Sequence, residues 1–424
     1  MPFLVILLHI ILISGLAWRF RRRQSAALKK LYWPALGFKL ACGVCLGWLY
    51  TYYYSVADTF IYFEDASRVA SLARQDVTAY LEFLFLNRGA DSVELTFQVP
   101  RAVFLTRLTS VFCLLTGDNY WVIGFYFSFI SFMASWYLVQ TIIRNIPGVG
   151  LAAATAFLFF PSLIFWTSGL LKEALSIAAL FFITASFLKI CFREKISLWE
   201  AVVVLLSFVI LWNLKYYYVA VLVPVIFTTL CYRFLVPGRL EISRSVRAFL
   251  WAAIFVLPLT LITFLHPNFN ADRILDVIIT NHHAYQRFSD HDDVVHFHDL
   301  RATPVSMLVN APWALFSGLF RPLFWEASTL VQFVAGVENT VLLLLFLASL
   351  LRFKKIFSSP HQLLVLGLVV YVAMLCVLIT FSAPNFGTLS RYRVGYLPFF
   401  ILITLCDNPS VEYMERSISR LVSH

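Results

Sequence analysis

The segment YYYSVADTFIYFEDASR holds the first residues able to do chemistry: Asp58, Glu64 and Asp65. Asp58 and Asp65 are spaced to share one face if the segment is helical. A carboxylate there can act as general base toward a hydroxyl nucleophile, or help hold a divalent cation beside a phosphate. The plainer reading is a solvated acidic turn in which Asp58-Thr59 caps an interfacial helix. In FFPSLIFWTSGLLKEAL, Lys172 and Glu173 open an apolar run. Ionisable groups at membrane depth are costly and need a partner or a water-filled cavity. The alternatives are pairing of these neighbours or a lysine that snorkels to the surface.

Further along, LWNLKYYYVAVLVP carries Asn213 and Lys215, with no acidic neighbour in sequence. A cation facing the same compartment as the acidic loop can bind phosphate; otherwise it anchors the interface. GLFRPLFWEAS adds Arg321 and Glu326, and LSRYRVGYLP adds Arg391 and Arg393. Arginine is the planar, permanently charged choice for gripping phosphate through two parallel hydrogen bonds. Six of the nine histidines fall between His266 and His298. His291, Asp292, Asp293, His296 and His298 are metal-ligand types, but no established ligand spacing appears. The stretch 282–298 reads as a solvated loop, a metal site or a pH-sensitive lid.

The elements that position these residues are membrane helices. The chain has 424 residues, 60% of them hydrophobic and 13% charged. Soluble domains run at about 45–50% apolar and about 25% charged. Apolar stretches long enough for a bilayer core recur along the chain, and we count about eleven at about 20 residues each. They fall near 2–18, 34–54, 119–142, 149–167, 174–192, 197–214, 216–235, 247–265, 328–351, 361–381 and 394–407. The expected fold is an all-α polytopic transmembrane bundle, one membrane domain over 1–424. Large outer loops span 55–118 and 266–327, and their apolar but charge-interrupted segments suit interfacial helices.

The net charge of +10 follows the positive-inside rule. Arg19, Arg21, Arg22, Arg23, Lys29 and Lys30 start an alternation. Arg144, then Arg193 and Lys195, then Arg233, Arg239, Arg244 and Arg247 continue it, followed by Arg352, Lys354, Lys355, Arg416 and Arg420. With these inside, the N-terminus is out, the C-terminus is in, and the candidate residues above all lie outside. Nucleic acid is not an expected partner, because polyanion contacts need a solvated basic surface. The first apolar run resembles a signal peptide, but its basic cluster follows it, so a retained helix is expected. Cys42 and Cys45 have C-x-x-C spacing in LACGVCLGW; small residues packing a helix explain it better than redox chemistry. Trp48, Tyr50, Tyr52, Tyr53, Tyr54, Trp166, Tyr216, Tyr217, Tyr218 and Trp325 crowd the outer helix ends. They read as an aromatic belt or as faces for stacking sugar rings. A phosphate-binding loop, a dinucleotide fingerprint and a serine-nucleophile elbow are all missing.

With Asp58 and the Glu64-Asp65 pair in the first outer loop, outward loops over about eleven spans, and RYR-x3-Leu-Pro from Arg391 to Pro398, the chain resembles bacterial polytopic glycosyltransferases of the GT-C superfamily. The FPSLIFWTSGLLKE and FRPLFWE stretches also resemble membrane proteins of polysaccharide biosynthesis. The chain departs from the family in lacking a large soluble C-terminal domain and in the seven-residue spacing of its carboxylates. The resemblance implies a polyprenyl-phosphate sugar as donor, a saccharide or lipid as acceptor, and residence in the bacterial inner membrane. It implies Asp58, Glu64 or Asp65 as catalytic base, with Lys172, Glu173, Lys215, Arg321, Glu326, Arg391 and Arg393 binding substrate. No cofactor is fixed by it beyond an optional divalent cation. Two other classes compete. A repeat-unit polymerase or ligase would not need the first-loop carboxylate. A transporter of lipid-linked oligosaccharide would carry its polar residues near the midplane on broken helices.

Overall fold

The computed structural model describes residues 2–54, 58–86, 93–236, 243–265, 271–352 and 360–413. Arg239, His266, Lys354, Lys355, Arg416 and Arg420 lie outside these. The described residues are mostly helical and form no strands, with one isolated antiparallel bridge, Val294 to Asn385. In chain order the helices are α1 (Pro2–Arg22), α2 (Ala26–Tyr52), α3 (Asp58–Gln75), α4 (Val77–Leu81) and α5 (Pro100–Thr116). Then come α6 (Tyr120–Asn145), α7 (Gly150–Ala154), α8 (Pro161–Trp166), α9 (Lys172–Cys191), α10 (Leu198–Leu235) and α11 (Arg244–Leu265). The remainder are α12 (Ala271–Arg287), α13 (Pro304–Phe320), α14 (Leu330–Leu350), α15 (Gln362–Ser382), α16 (Phe386–Tyr392) and α17 (Leu397–Leu405).

Six of these are long and apolar enough to cross a membrane: α1, α6, α9, α10, α14 and α15. Only 17% of the apolar window of α1 is buried, so most of that helix presents Leu and Ile side chains outward, as lipid contact requires. The other expected spans are less regular. The stretch expected at 34–54 belongs to α2, whose hydropathy is lowered by Lys39 at its centre. The stretch at 149–167 is broken into α7, a π-helical turn at Thr155–Phe159, and α8. The stretches at 197–214 and 216–235 are joined in α10, which leaves helical geometry at Lys215 (φ −145, ψ 60). The last, at 394–407, is the short α17.

Two compact units make up the chain: Met1–Gly148 with Phe157–Tyr216, and Val149–Ala156 with Tyr217–His424. In the first, α6 packs along α9 through small buried residues: Ser128, Ser131 and Ser135 on α6, and Ala174, Ala178 and Ala185 on α9. Small side chains let helix backbones approach closely where lipid gives no hydrophobic drive for association. One end of this unit is basic and polar. Gln24 bonds Gln140, Arg144 pairs with Glu194 at 3.1 Å, and Lys189 pairs with Glu200 at 2.5 Å. Of the clusters in the expected alternation, Arg144 meets the Arg193–Lys195 connection through Glu194, at the end of the first unit where Arg21 bonds the Lys29 carbonyl. The opposite end carries α3 and α5, packed on each other. A left-handed Gly117 (φ 65) ends α5, and the Asn119 side chain caps α6 by accepting from Val122 N; glycine carries no Cβ penalty there.

In the second unit α13 packs on α15, and α14 on α17. Gly395 lies directly against the Tyr218 ring, and Gly318 against Thr380 and Cys376, so a side chain at either position would collide. What reads as loop in 266–327 is largely helix. On α12, Ile278 and His282 are buried, while Ile274 and Val277 are exposed.

Candidate active site

The site is built where α3 meets the start of α9. Asp58 is the first residue of α3, half-buried, in a first turn that favours negative charge. The capping role expected of Thr59 is not what its hydroxyl does. Thr59 Oγ1 donates to the Leu170 carbonyl at 2.8 Å and lies 3.0 Å from the Tyr120 hydroxyl. That bond ties the N-terminal turn of α3 to the residues leading into α9. One helical turn beyond Asp58, on the same face, the Tyr62 ring receives the Lys172 ammonium at 4.7 Å from its centroid. Glu173 follows and is fully buried, with its Oε1 2.9 Å from Lys215 Nζ. The sequence gives Lys215 no local acidic neighbour; the fold supplies one across the chain. Lys172, Glu173 and Lys215 therefore lie at the end of the first unit opposite its basic end, and Asp58 opens α3 at that same end.

Asp65 and Glu64 part company with Asp58. Glu64 is exposed on another face of α3. Asp65 is fully buried and its two oxygens accept from backbone: Thr96 N at 3.0 and 3.1 Å, and Phe97 N at 3.2 Å. Arg68 Nη1 adds a bond at 3.2 Å and reaches on to the Glu94 carbonyl at 3.1 Å. This carboxylate clamps the segment 93–97 to α3. Val93 and Leu95 pack with Val69 beneath it, and the Phe97 ring stands 5.1 Å from Tyr62. Of the three expected bases, Asp58 has the placement for chemistry, and Asp65 is committed to holding the loop. Nearby, Arg107 of α5 covers the Phe83 ring at 4.9 Å, and burial lowers its guanidinium from its ordinary value.

Lys39, which lowers the hydropathy of α2 without ending the helix, is the most telling residue of the unit. It is the central residue of α2, about 20 Å from either end at 1.5 Å per residue, and it is 1% exposed. Its Nζ donates to Thr167 Oγ1 at 2.5 Å, and no carboxylate pairs with it among the described residues. Thr167 begins the non-helical turn between α8 and α9. Ser168 Oγ donates to the Lys39 carbonyl at 3.0 Å, and Gly169 N donates to Ser128 Oγ at 2.8 Å. Each residue from Thr167 to Leu170 is thus pinned by α2, α6 or α3. Gly169 is left-handed (φ 67) and lies against Gly43 and Leu46, which leaves no room for a side chain. The signal available in sequence was the lone lysine in an otherwise apolar run, together with T-S-G before Lys172.

The arginines expected to grip phosphate sit in the second unit. Arg393 is fully buried, with Nη1 donating to Asn339 Oδ1 at 2.5 Å and Nη2 3.5 Å from Glu338 Oε1. Asn339 in turn donates to the Pro322 carbonyl at 2.7 Å. Arg393 therefore knits α14 to the start of α17, and an exposed phosphate rim is not its setting. Arg391 is half-buried in the last turn of α16. Arg321 pairs with Glu326 at 2.7 Å between the Trp313 and Phe386 rings, 5.1 and 5.0 Å from their centroids. Glu326 also accepts from Leu323 N at 2.8 Å. The His-rich stretch is ordered by backbone contacts. His282 is buried with Nδ1 2.9 Å from the Phe381 carbonyl, and burial pushes its imidazole below its ordinary value against the pull of that bond. His296 Nε2 lies 2.9 Å from the His291 carbonyl, and Asp293 accepts from Ser328 Oγ at 2.8 Å. No group of three or more His, Cys, Asp or Glu side chains able to hold a metal ion occurs among the described residues.

The expected aromatic belt divides by burial. Trp48, Tyr52, Tyr53, Tyr216 and Trp325 are exposed, as a belt requires, whereas Tyr50, Trp166 and Tyr218 are core residues. The Tyr218 hydroxyl donates to the Tyr392 carbonyl at 2.8 Å.

No family model, no curated protein and no solved structure matches this chain.

Proposed function

We propose that this chain is a membrane glycosyltransferase that moves a hexosyl or pentosyl group from a polyprenyl-phosphate donor to a saccharide or lipid acceptor. In this reading the basic end of the first unit faces the cytoplasm of a bacterium. The N-terminus is outside, the C-terminus inside, and the chain crosses the inner membrane about eleven times. The observation that supports it most is that Lys172 lies on the Tyr62 ring, one helical turn from Asp58, with the Glu173–Lys215 pair next to it in the chain at the same end of that unit. Transfer from a lipid phosphate needs those two components. Asp58 takes the proton of the acceptor hydroxyl as it attacks the anomeric carbon. The lysines meet the negative charge that grows on the departing phosphate. The donor's lipid tail explains why the residues stand on membrane helices. Asp65 holds the loop beside the base. A divalent cation is not required by this arrangement, and a carboxylate and a phosphate together would accept one.

Lys39 supports a second reading, translocation of a lipid-linked oligosaccharide. A buried cation at the centre of α2, bonded to a turn between two helix segments, has the placement expected of a transport site. One experiment separates the two. The purified chain in liposomes is given radiolabelled polyprenyl-phosphate hexoses and pentoses with a soluble saccharide acceptor. Transfer releases polyprenyl phosphate and labels the acceptor, and Asp58→Asn lowers that rate by about 10²–10⁴-fold. Movement of label between leaflets with no labelled acceptor, insensitive to Asp58→Asn, would retire the transferase reading.

A further inference from the structure

Two members of the site are engaged with each other. Lys215 Nζ and Glu173 Oε1 are 2.9 Å apart, and both side chains are buried. Each also stands at an interruption of a helix. Glu173 is in the first turn of α9, directly after the non-helical turn; Lys215 is where α10 leaves helical geometry. Such a pair is poor evidence for stability. Removing both charges from water offsets most of their attraction, and a well-packed apolar pair would hold the helices as well or better. Irregular backbone at membrane depth is kept where it lines a cavity or is buried by protein, and broken helices recur at ligand sites. The pair therefore calls for a role beyond holding α9 to α10.

We infer that Glu173 is an internal stand-in for the anionic group of the ligand: its carboxylate occupies, on Lys215, the place that a phosphate ester takes when it binds. The inference rests on the phosphate-donor reading of this site and adds a control to it. The donor is a phosphate diester whose single negative charge and two free oxygens match those of a carboxylate, so it can exchange with Glu173 on Lys215, and the monoester left after transfer carries more charge and more acceptor oxygens. Lys172, held by the softer contact with the Tyr62 ring, is the second cation available to it. Before the phosphate arrives the carboxylate compensates Lys215, so that lysine is not left as a lone buried charge. After sugar transfer the polyprenyl phosphate is the more highly charged product. The return of Glu173 to Lys215 then competes with it and favours its release. Glu173 thereby lowers phosphate affinity in exchange for turnover.

The test is calorimetric binding to the purified full chain in detergent, with farnesyl phosphate as probe, and inorganic phosphate and farnesol as separate arms. Glu173→Gln is expected to tighten farnesyl phosphate binding by about tenfold or more, the loss of one charged competitor for a charged hydrogen bond, and to leave farnesol unchanged. Tightening confined to farnesyl phosphate identifies a lipid headgroup as the anion. Equal tightening for inorganic phosphate supports the same exchange with free phosphate as ligand. Binding equal to or weaker than wild type overturns the inference. If Glu173→Gln fails to fold because Lys215 is left without its charge partner, Glu173→Asp, which keeps the charge at a longer reach, is measured against the same criterion. Glu173→Gln/Lys215→Met removes both charges at similar volume and is expected to lose about tenfold or more in farnesyl phosphate affinity. Wild-type affinity in that variant also overturns the inference. Because the readout is binding, a chain that binds as expected but transfers no sugar sinks the transferase reading alone. One that transfers sugar with unaltered binding in these variants sinks only the exchange.

Discussion

Asp65→Asn distinguishes a clamp from a base. The carboxylate is 0% exposed and accepts from two backbone N–H groups, those of Thr96 and Phe97, across 3.0–3.2 Å. Asparagine keeps one acceptor oxygen and turns an NH2 group toward the other donor. A buried donor left unsatisfied costs about 1–3 kcal/mol, and the surviving bond loses about 1 kcal/mol with the charge. The sum, about 2–4 kcal/mol, is a large share of the roughly 5–15 kcal/mol typical of a folded domain. It falls on the segment 93–97 and on the packing of α3 against α5. Cys113 of α5 reports it, since its thiol is buried in the cluster that includes Ala66 and Leu105. In a variant keeping Cys113 as its single cysteine, reaction with a thiol-specific dye tracks opening of that cluster. At a factor of ten per 1.4 kcal/mol, labelling should accelerate by about 30- to 1000-fold. Labelling within about threefold of the parent, together with abolished turnover, would refute the clamp and return Asp65 to the catalytic list.

Asp58→Asn should change Cys113 labelling by less than about tenfold while removing turnover, because Asp58 is half-buried at the helix start and a charge there contributes about 0.3–1 kcal/mol. Lys39→Met should unfold at an equal or higher temperature in detergent, since it replaces a buried cation, bonded to a hydroxyl, by an apolar chain of similar length; a clear fall would mean that the Thr167 bond is a net stabiliser. For His282 the sign follows from burial. The folded pKa is lowered, so the neutral ring's contribution is complete above the unfolded value of about 6.5 and is lost as pH falls through the folded value. Unfolding temperature should therefore drop on acidification below about pH 6.5, and His282→Gln should blunt that drop; an unchanged slope in the variant would assign it to other groups.

Helical class, membrane character and the end-to-end alternation of basic clusters were legible because each is a property of windows of many residues. Lys29, Arg144 and Arg193 need no knowledge of contacts to be expected at one end. Pairing was not legible, because it depends on which helix ends meet. Lys215 looked isolated until α10 met α9 and brought Glu173 to it. Asp65 and Asp58 looked equivalent by spacing, and only the return of residues 93–97 over α3 separates them. Arg393 was read as an outer-rim cation because it opens a helix. Its burial follows from Asn339 and Glu338, more than fifty residues earlier and unremarkable in an apolar run. The two long loops were expected to carry interfacial helices, without bounds for them. Their caps, Asp76 for α4 and Thr303 for α13, show that short helices were encoded locally.

The depth of polar groups along α6 gives the first unit two levels. Tyr120, at the start of α6, meets Thr59 beside Asp58, and Leu170 joins them there. Ser128, about 12 Å further along the helix, meets Gly169, and Lys39 with Thr167 belongs to that lower level. On the proposed function, chemistry on a lipid phosphate belongs to the upper level, the end of the helices that would meet the headgroup and an acceptor arriving from water. A phosphate brought to the lower level would stand among Gly43, Gly169 and Leu46, which are in contact with one another. Reaching it would require the pinned turn to leave α2 and α6 together, breaking the bonds from Lys39, Ser168 and Gly169. The same turn carries Lys172 and Glu173 at its end, so any such movement would dismantle the upper site. The lower level is therefore best understood as the support that fixes where the α9 lysine and carboxylate stand. That argument favours transfer over translocation, and the effect of Lys39→Met on both rates is where it is exposed to measurement.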